Sequence, residues 1–297
     1  MGSDYAAALG YLYGLTNYEQ KLATQWAGDL FELARMERLL DAMGRPERKF
    51  MSVHVAGTKG KGSTAAMIAS SLRCAGQRTG LFTSPHLHTF RERIQVDGQP
   101  ISEAELVTHV QNLRPLFDTL PGLTTFEATN AIAFDYFVAS QVDWAVIEVG
   151  LGGRLDATNV IQPQAAVITP VSLDHMLVLG DTLSAIAREK AGIIKPRTPV
   201  VTAPQPEEAM NVIRHVATHL DAPLTIVGID WTYTSLGGNW NGQSLSLHGP
   251  GVTLTNLFIP LLGEHQVLNA ATAVATLWVL HQQGLWLPEE AIRQGLR

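Results

Sequence analysis

Apolar positions along the chain alternate between two patterns. Helical spacing is seen in several segments, of which one begins with a capping box of Ser102 and Glu105 and another ends at Gly44. Between such segments lie short runs rich in Val, Ile and Ala, typical of strands buried on both faces, at residues 50–56, 78–83, 142–149, 165–170 and 199–203. This alternation predicts an α/β fold with a mostly parallel sheet flanked by helices.

The pattern changes between residues 224 and 262. Alternating apolar residues such as Leu245 and Leu247 are separated there by glycine-rich turns at 237–238, 241–242 and 249–251, which is typical of antiparallel hairpins. A long apolar helix at 263–283 follows, and a last helix begins at Pro288. We predict one domain over residues 1–297, with a helical lead-in at 1–49 and a small antiparallel section at 224–262.

A glycine-rich turn joins the strand at 50–56 to the next helix, and its sequence is Gly57-Thr58-Lys59-Gly60-Lys61-Gly62-Ser63. We expect its three glycines to take positive φ angles and the helix to start near Ser63. Clustered N–H groups, the helix dipole and the Lys61 ammonium favour a nucleoside triphosphate, although a plain strand-to-helix turn is the alternative. Because Gly62 stands where a strict P-loop has Ser or Thr, a magnesium ion would need ligands elsewhere.

Polar side chains lie at the ends of three predicted strands, where a doubly wound sheet places its ligand groups. Ser84 follows one strand, Glu148 lies near the end of another, and His175 follows a third. A buried carboxylate is unfavourable unless a cation compensates it, so Glu148 is a candidate magnesium ligand; an ion pair with Arg154 is the alternative. Ordinary loop roles are the alternative for Ser84 and His175.

Composition and charge exclude several classes of function. Hydrophobic residues at 46% and charged residues at 16% are typical of a globular protein. A net charge of −6 argues against a general nucleic-acid binder, which needs a basic surplus. The single cysteine, Cys74, fits a reducing cytoplasm, and no apolar run is long enough for a membrane span. We therefore expect a cytoplasmic protein without nucleic-acid or membrane partners, and we also expect a monomer.

Five motifs in order resemble the folylpolyglutamate synthase and dihydrofolate synthase family of the Mur ligase superfamily. They are GTKGKGS at Gly57, TSPHL at Thr83, VGLGGRLDATN at Val149, SLDH at Ser172 with EKAGIIK at Glu189, and GEHQVLNAATA at Gly263. The likeness implies the Mur ligase central ATPase domain and a ligase that forms C–N bonds. In folate biosynthesis and one-carbon metabolism, such an enzyme uses ATP to add L-glutamate to dihydropteroate, to a folate or to both.

The resemblance also implies a nucleotide and metal site. Its nucleotide contacts would be Thr58, Lys59, Gly60, Lys61, Gly62, Ser63 and Asn269. One magnesium ion would be held by Ser84 and Glu148, and a second by Glu148, His175 and a carbamylated Lys190. Carbamylation would turn the lysine into the anionic oxygen ligand that a hard metal prefers, whereas a solvated helix lysine is the alternative. The implied catalytic residues are Lys61, Glu148, His175 and Lys190.

For the pterin substrate, the resemblance implies contacts from three segments. These contacts are Asp29, Leu30, Phe31, Thr124, Thr125, Phe126, Glu127, Leu155, Asp156 and Ala157.

Two departures from the family pattern bear on activity. Lys59 stands where the family commonly has asparagine, which predicts a changed nucleotide affinity. Family members continue beyond the position of Arg297 into a second α/β domain that supplies most of the glutamate pocket, and we expect this chain to lack it. Two alternatives stay open: a peptidoglycan-precursor ligase of the same superfamily and, because of the missing domain, a non-catalytic nucleotide-binding module.

Overall fold

A computed structural model describes residues 2–16 and 33–297. Three of the expected pterin contacts, Asp29, Leu30 and Phe31, lie outside the described residues.

The described helices and strands follow the predicted alternation. The α-helices are Gly2–Gly14 (α1), Leu33–Ala42 (α2), Lys61–Cys74 (α3), Glu103–Phe117 (α4), Thr125–Ala139 (α5), Met176–Leu179 (α6), Leu183–Ala191 (α7), Glu207–His219 (α8), Glu264–Gln282 (α9) and Glu289–Gly295 (α10). The strands are Met51–Ala56 (β1), Thr79–Phe82 (β2), Ile94–Val96 (β3), Gln99–Pro100 (β4), Trp144–Glu148 (β5), Ala165–Ile168 (β6), Val200–Thr202 (β7), Leu224–Ile226 (β8), Thr232–Asn239 (β9), Gly242–Gly249 (β10) and Val252–Ile259 (β11). Among these helices, none combines the length and the apolar character needed to cross a bilayer.

Eight strands form the main sheet, in the order β4-β3-β2-β5-β1-β6-β7-β8. The six strands from β2 to β8 in this order are parallel, and the β3–β4 hairpin adds an antiparallel edge. β1 lies in the middle of the sheet, where Val53 and Val55 are buried in one cluster with α3 and α9. The predicted α/β fold is confirmed. Because β1, β2, β5 and β6 run in one direction, the loops that follow them leave the sheet at the same edge.

A separate antiparallel sheet consists of β9, β10 and β11. It is smaller than the predicted section at 224–262, since Leu224–Ile226 pairs in parallel with β7 and extends the main sheet. The expected turn at residues 237–238 is also wrong, because both glycines lie within β9. A Cβ at Gly238 would lie 2.6 Å from the Cβ of Gln243, so glycine here permits a close approach of two strands.

Candidate active site

The turn after β1 forms a loop that leads directly into α3. Gly57 and Gly60 take the expected positive φ angles of 146° and 84°. A side chain at Gly57 would collide with Thr169, and one at Gly60 with Asn269, the expected nucleotide contact on α9. The positive φ angle expected for Gly62 is wrong, because α3 begins at Lys61 and Gly62 lies in its first helical turn. The N–H groups of residues 60–63 are therefore at a helix N-terminus, where anions bind.

Thr58 and Lys59 have their backbone N–H groups engaged within the protein. Both donate to the carbonyl oxygen of Pro170, at 3.0 and 3.4 Å. The Thr58 hydroxyl also donates to the carbonyl of Ser172 and accepts from its N–H, each at 3.1 Å. These hydrogen bonds attach the loop to the segment after β6. The backbone groups of Thr58 and Lys59 therefore fix the conformation of the loop. The exposed Lys59 side chain remains available to a ligand.

Glu148 ends β5 as predicted, and its carboxylate is buried beside the start of α3. Its Oε2 accepts a hydrogen bond of 3.2 Å from the N–H of Ser84. Burial raises the pKa of Glu148 to about 7, against the opposing effect of the Lys61 ammonium. A Cβ on Gly62 would lie 3.5 Å from Oε2, so this glycine leaves open space next to the carboxylate.

The alternative of an ion pair between Glu148 and Arg154 is wrong. Arg154 lies in the loop after β5 and pairs instead with Glu189 of α7, at 2.9 Å. The backbone N–H of Arg154 also donates to the Glu189 carbonyl. The carboxylate of Glu148 thus keeps Lys61 as its principal cationic neighbour in the described part of the chain.

Lys190 is buried on α7, so the alternative of a solvated helix lysine is wrong as well. Its Nζ donates a hydrogen bond of 2.9 Å to the carbonyl of Gly57, directly beneath the glycine-rich loop. Burial and the Lys61 ammonium lower the pKa of Lys190 to about 8, against the opposing effect of Asp174 and Asp156. The structure therefore gathers Ser84, Glu148, Lys61 and Lys190 around one loop.

His175 is an expected metal ligand, but the structure places its side chain apart from the group formed by Ser84, Glu148, Lys61 and Lys190. Its side chain is 51% exposed, and its Nε2 lies 3.8 Å from Oδ1 of Asp174. Within residues 2–16 and 33–297, no three His, Cys, Asp or Glu side chains form a preformed metal centre. A site that relies on Glu148 still suits magnesium, which is commonly held by one or two carboxylates together with substrate phosphates.

The expected pterin contacts at residues 124–127 form the start of α5. Thr124 caps the helix, and the Glu127 carboxylate accepts from the Thr124 N–H and pairs with Arg35 at 3.0 Å. The Thr125 hydroxyl donates to a backbone carbonyl of α1. Only Phe126 of these four is partly exposed, and a Cβ on the neighbouring loop at position 150 would meet its ring. Phe126 is therefore the member of the segment best placed to contact a ligand.

Asp156 has a structural role within the loop after β5. Its buried carboxylate accepts from the N–H groups of Leu151 and Thr158 and from the Thr158 hydroxyl. It thereby caps the 3-10 turn at Ala157–Val160. Burial raises the pKa of Asp156, and these hydrogen bonds oppose the rise. Beside it, Leu155 is partly exposed and Ala157 is buried.

Sequence reasoning missed residues that contact the loops of the site from within the protein, among them His54, Thr169 and Lys195. His54 carried a signal, because it is a polar residue within an otherwise apolar strand. Thr169 and Lys195 had none, since their roles depend on contacts with Gly57 and with the carbonyl of Asn159.

Comparison with known proteins identifies the group to which this arrangement belongs. The Mur ligase middle domain matches residues 55–277. A solved structure of FPGS, folylpolyglutamate synthase, with AMPPCP and folate is 36% identical, with a TM-score of 0.91 over 98% of this chain and 71% of that one. The chain belongs to the folylpolyglutamate synthase group of the Mur ligase family.

Two further relatives support the assignment. The dihydrofolate synthase/folylpolyglutamate synthase of Bacillus subtilis is 41% identical over 271 residues, which are 89% of this chain and 63% of the relative. The folylpolyglutamate synthase structure from Thermotoga maritima is 36% identical, with a TM-score of 0.88 over 98% of this chain and 65% of that one. The chain thus spans about 63% of the length of the Bacillus relative.

Proposed function

We propose that this chain binds ATP, magnesium and a pterin substrate as part of a ligase that adds L-glutamate to dihydropteroate or to a folate. The observation that carries the proposal is the buried Glu148 carboxylate between Ser84 and Lys61, at the N-terminus of α3. A buried carboxylate beside an anion-binding helix end calls for a cation that can contact both it and a phosphate.

The triphosphate would lie against the start of α3. The N–H groups of residues 60–63 would bind the phosphate oxygens, and the Lys61 ammonium would neutralise the charge that develops on the γ-phosphate. Asn269 would hold the loop shape, because its side chain occupies the space next to Gly60. The same Asn269 side chain donates to Gln266 at 3.0 Å, which orients it.

Ser84 and Glu148 would hold the first magnesium ion. The donor set fits, since both are oxygen ligands and the Glu148 carboxylate accepts one hydrogen bond in the described structure, from a backbone N–H. A bound magnesium ion would supply charge neutralisation on the phosphates. Glu148 would then be ionised despite its burial, because an adjacent cation lowers a carboxyl pKa.

Carbamylation of Lys190 would give a second metal site an anionic oxygen ligand in addition to Glu148, and the exposed His175 side chain, which the structure leaves apart from this group, would have to move to join it. A protonated amine does not fit a metal, but its lowered pKa leaves roughly a tenth of the Lys190 amine neutral at pH 7 and about half at pH 8. The neutral nitrogen would attack the carbon of CO₂, form an N–C bond and release one proton, which leaves an anionic carbamate. The remaining N–H could keep its bond to the Gly57 carbonyl.

The reaction would proceed in two steps. First, an oxygen of the substrate carboxylate would attack the γ-phosphorus of ATP, and ADP would leave as the acyl phosphate forms. Then the amine nitrogen of glutamate would attack the acyl carbon, with loss of phosphate and of one proton, to form the amide. Lys61 would stabilise the charge that develops in the first step.

A folate substrate is favoured over a peptidoglycan precursor. The relatives compared above are folate enzymes by name, and one structure contains folate. The partly exposed Phe126 and Leu155 would offer apolar surface to a flat pterin ring.

Titration calorimetry with AMPPCP, dihydropteroate and a UDP-linked muramyl peptide tests the proposal. We expect magnesium-dependent binding of AMPPCP and binding of dihydropteroate. Binding of the UDP-linked ligand without the pterin would move the chain to the peptidoglycan branch. Nucleotide binding that survives Lys61→Ala combined with Glu148→Ala would instead support a non-catalytic module.

A further inference from the structure

The connection from β5 to β6 must pass over β1, because the sheet order is β5-β1-β6. Residues 149–164 make this crossover, and it includes the 3-10 turn at Ala157–Val160. His54 lies on β1 beneath the crossover and is fully buried. Since the crossover carries the expected pterin contacts at 155–157, whatever holds it to the sheet sets where those contacts lie.

A chain of hydrogen bonds connects His54 to the crossover. Nε2 of His54 lies 2.9 Å from the Thr158 hydroxyl oxygen, and that hydroxyl contacts Oδ1 of Asp156. Oδ2 of Asp156 accepts from the Leu151 N–H at 2.9 Å. This series of hydrogen bonds therefore leads from the central strand through Thr158 and Asp156 to the beginning of the crossover.

The donors and acceptors of this chain define the tautomer of His54. Both oxygens of the Asp156 carboxyl group accept hydrogen bonds, Oδ2 from the Leu151 N–H and Oδ1 from the Thr158 N–H and hydroxyl, so this group acts as an acceptor even though burial raises its pKa. The Thr158 hydrogen therefore goes to Asp156, so the Thr158 oxygen accepts from His54. His54 must then carry its proton on Nε2, while Nδ1 has no partner among the described residues.

His54 is held neutral by its surroundings. Burial, together with the nearby ammonium of Lys195, lowers its pKa to about 3. Lys195 also donates to the carbonyl of Asn159 at 2.9 Å and so ties the same crossover from the other side. A neutral, buried imidazole that donates one hydrogen bond can hold the crossover in place, and the hydrogen bond of His54 goes to the crossover and not to the phosphate loop.

We propose that His54 is a positioning residue which, through Thr158 and Asp156, holds the crossover in the conformation that presents Leu155 and Ala157 to the pterin. This inference rests on the proposed function, because it assumes that the crossover contacts the pterin. It assigns no role to His54 in the binding of the nucleotide, since the residues at the start of α3 carry that role.

Three variants and one matched control test the proposal. His54→Phe removes the donor and keeps a ring, Thr158→Val removes the hydroxyl, and His54→Gln restores a donor near the position of Nε2. Thr276→Val is the control, because Thr276 is another fully buried threonine whose hydroxyl donates to a carbonyl of its own helix, that of Thr272.

The readouts are amide hydrogen exchange at positions 151 and 158 and calorimetric Kd values for dihydropteroate and AMPPCP. For His54→Phe and Thr158→Val we expect faster exchange and a pterin Kd raised roughly 2- to 10-fold, the range of one net hydrogen bond, with an unchanged AMPPCP Kd. His54→Gln should recover part of the loss, and Thr276→Val should change none of the three. Pterin affinity unchanged in both variants, or lowered equally with AMPPCP affinity, would overturn the proposal.

The tautomer provides a test that needs no variant. In the ¹⁵N NMR spectrum of the histidine-labelled wild-type chain, the imidazole assigned to His54 should have a protonated Nε2 and an unprotonated Nδ1. A His54 protonated on Nδ1 or on both nitrogens would overturn the proposal. A wild-type chain that binds AMPPCP but no pterin would refute the proposed function, while the tautomer and exchange data would still decide whether His54 holds the crossover.

Discussion

Replacing Glu148 by glutamine separates the charge of this side chain from its shape. Glu148→Gln keeps an oxygen that can accept from the Ser84 N–H and removes the negative charge. The side chain is buried, with 4% of the residue exposed, and its pKa is raised to about 7 from 4.5. The metal-free wild type must therefore ionise an unfavourably buried acid as the pH rises, and the variant need not.

The sign and size of the effect follow from the two pKa values. An acid whose pKa is higher in the folded state stabilises that state fully below the unfolded pKa of 4.5, and this stability is lost as the pH rises through 7. The full loss is 7 − 4.5 = 2.5 units, or ~3.4 kcal/mol, of which about 2.5 kcal/mol develops between pH 5 and pH 8. A change of 1 kcal/mol shifts the Tm by roughly 2–4 °C. The Tm of Glu148→Gln relative to that of wild type should therefore rise by about 5–10 °C from pH 5 to pH 8.

Scanning calorimetry in EDTA at both pH values measures this gain. The control is Glu103→Gln, the same chemical change at an exposed carboxylate in the first turn of α4, for which no such gain is expected. Magnesium with AMPPCP should then raise the Tm of wild type and not that of Glu148→Gln, because only the wild type has the charged ligand. If the Tm difference between Glu148→Gln and wild type in EDTA is the same at pH 5 and at pH 8, the carboxylate is not a destabilised buried acid. The reason for placing a cation there then disappears.

Four further changes test other parts of the site. Lys61→Met should weaken AMPPCP binding by at least ~10-fold, since a charged hydrogen bond contributes about 1.5–3 kcal/mol; an unchanged Kd by calorimetry would contradict its role. Lys190→Ala should remove a ¹³C carbamate resonance that wild type acquires with labelled bicarbonate at about pH 8, and a resonance that persists would locate the carbamate elsewhere. Gly57→Ala should destabilise by more than ~1 kcal/mol in urea, because its methyl group meets Thr169 and its φ of 146° disfavours alanine; an unshifted midpoint would argue against the loop geometry. Thr124→Ala should lose about 1 kcal/mol with its helix cap, and a loss well below that would mean that the cap contributes little.

Local patterns were sufficient to predict the strand, turn and helix around the glycine-rich loop. An apolar run, two glycines with positive φ angles and helical spacing all lie within residues 51–74. The position of Glu148 was predictable for the same reason, since it ends an apolar run that forms β5. The exact start of α3 was not, because Gly62 is compatible with either a turn or a helix, and its position beside the Glu148 carboxylate depends on a strand that lies far away in the sequence.

Contacts between distant residues account for what the sequence did not predict. Lys190 is buried because its Nζ reaches the carbonyl of Gly57, 133 positions away. Arg154 pairs with Glu189, 35 positions away, although Glu148 is much nearer in sequence. Likewise, Leu224–Ile226 joins the parallel sheet because β7 offers it an edge. No local pattern contains such information.

A crystal structure of the chain with Mn²⁺ and AMPPCP tests the central claim most directly, because the anomalous signal of manganese locates the metal. We predict a manganese ion bound to the Glu148 carboxylate and the Ser84 hydroxyl, with the phosphates at the N–H groups of residues 60–63. Phosphates bound away from the start of α3, or a metal without contact to Glu148, would contradict the account.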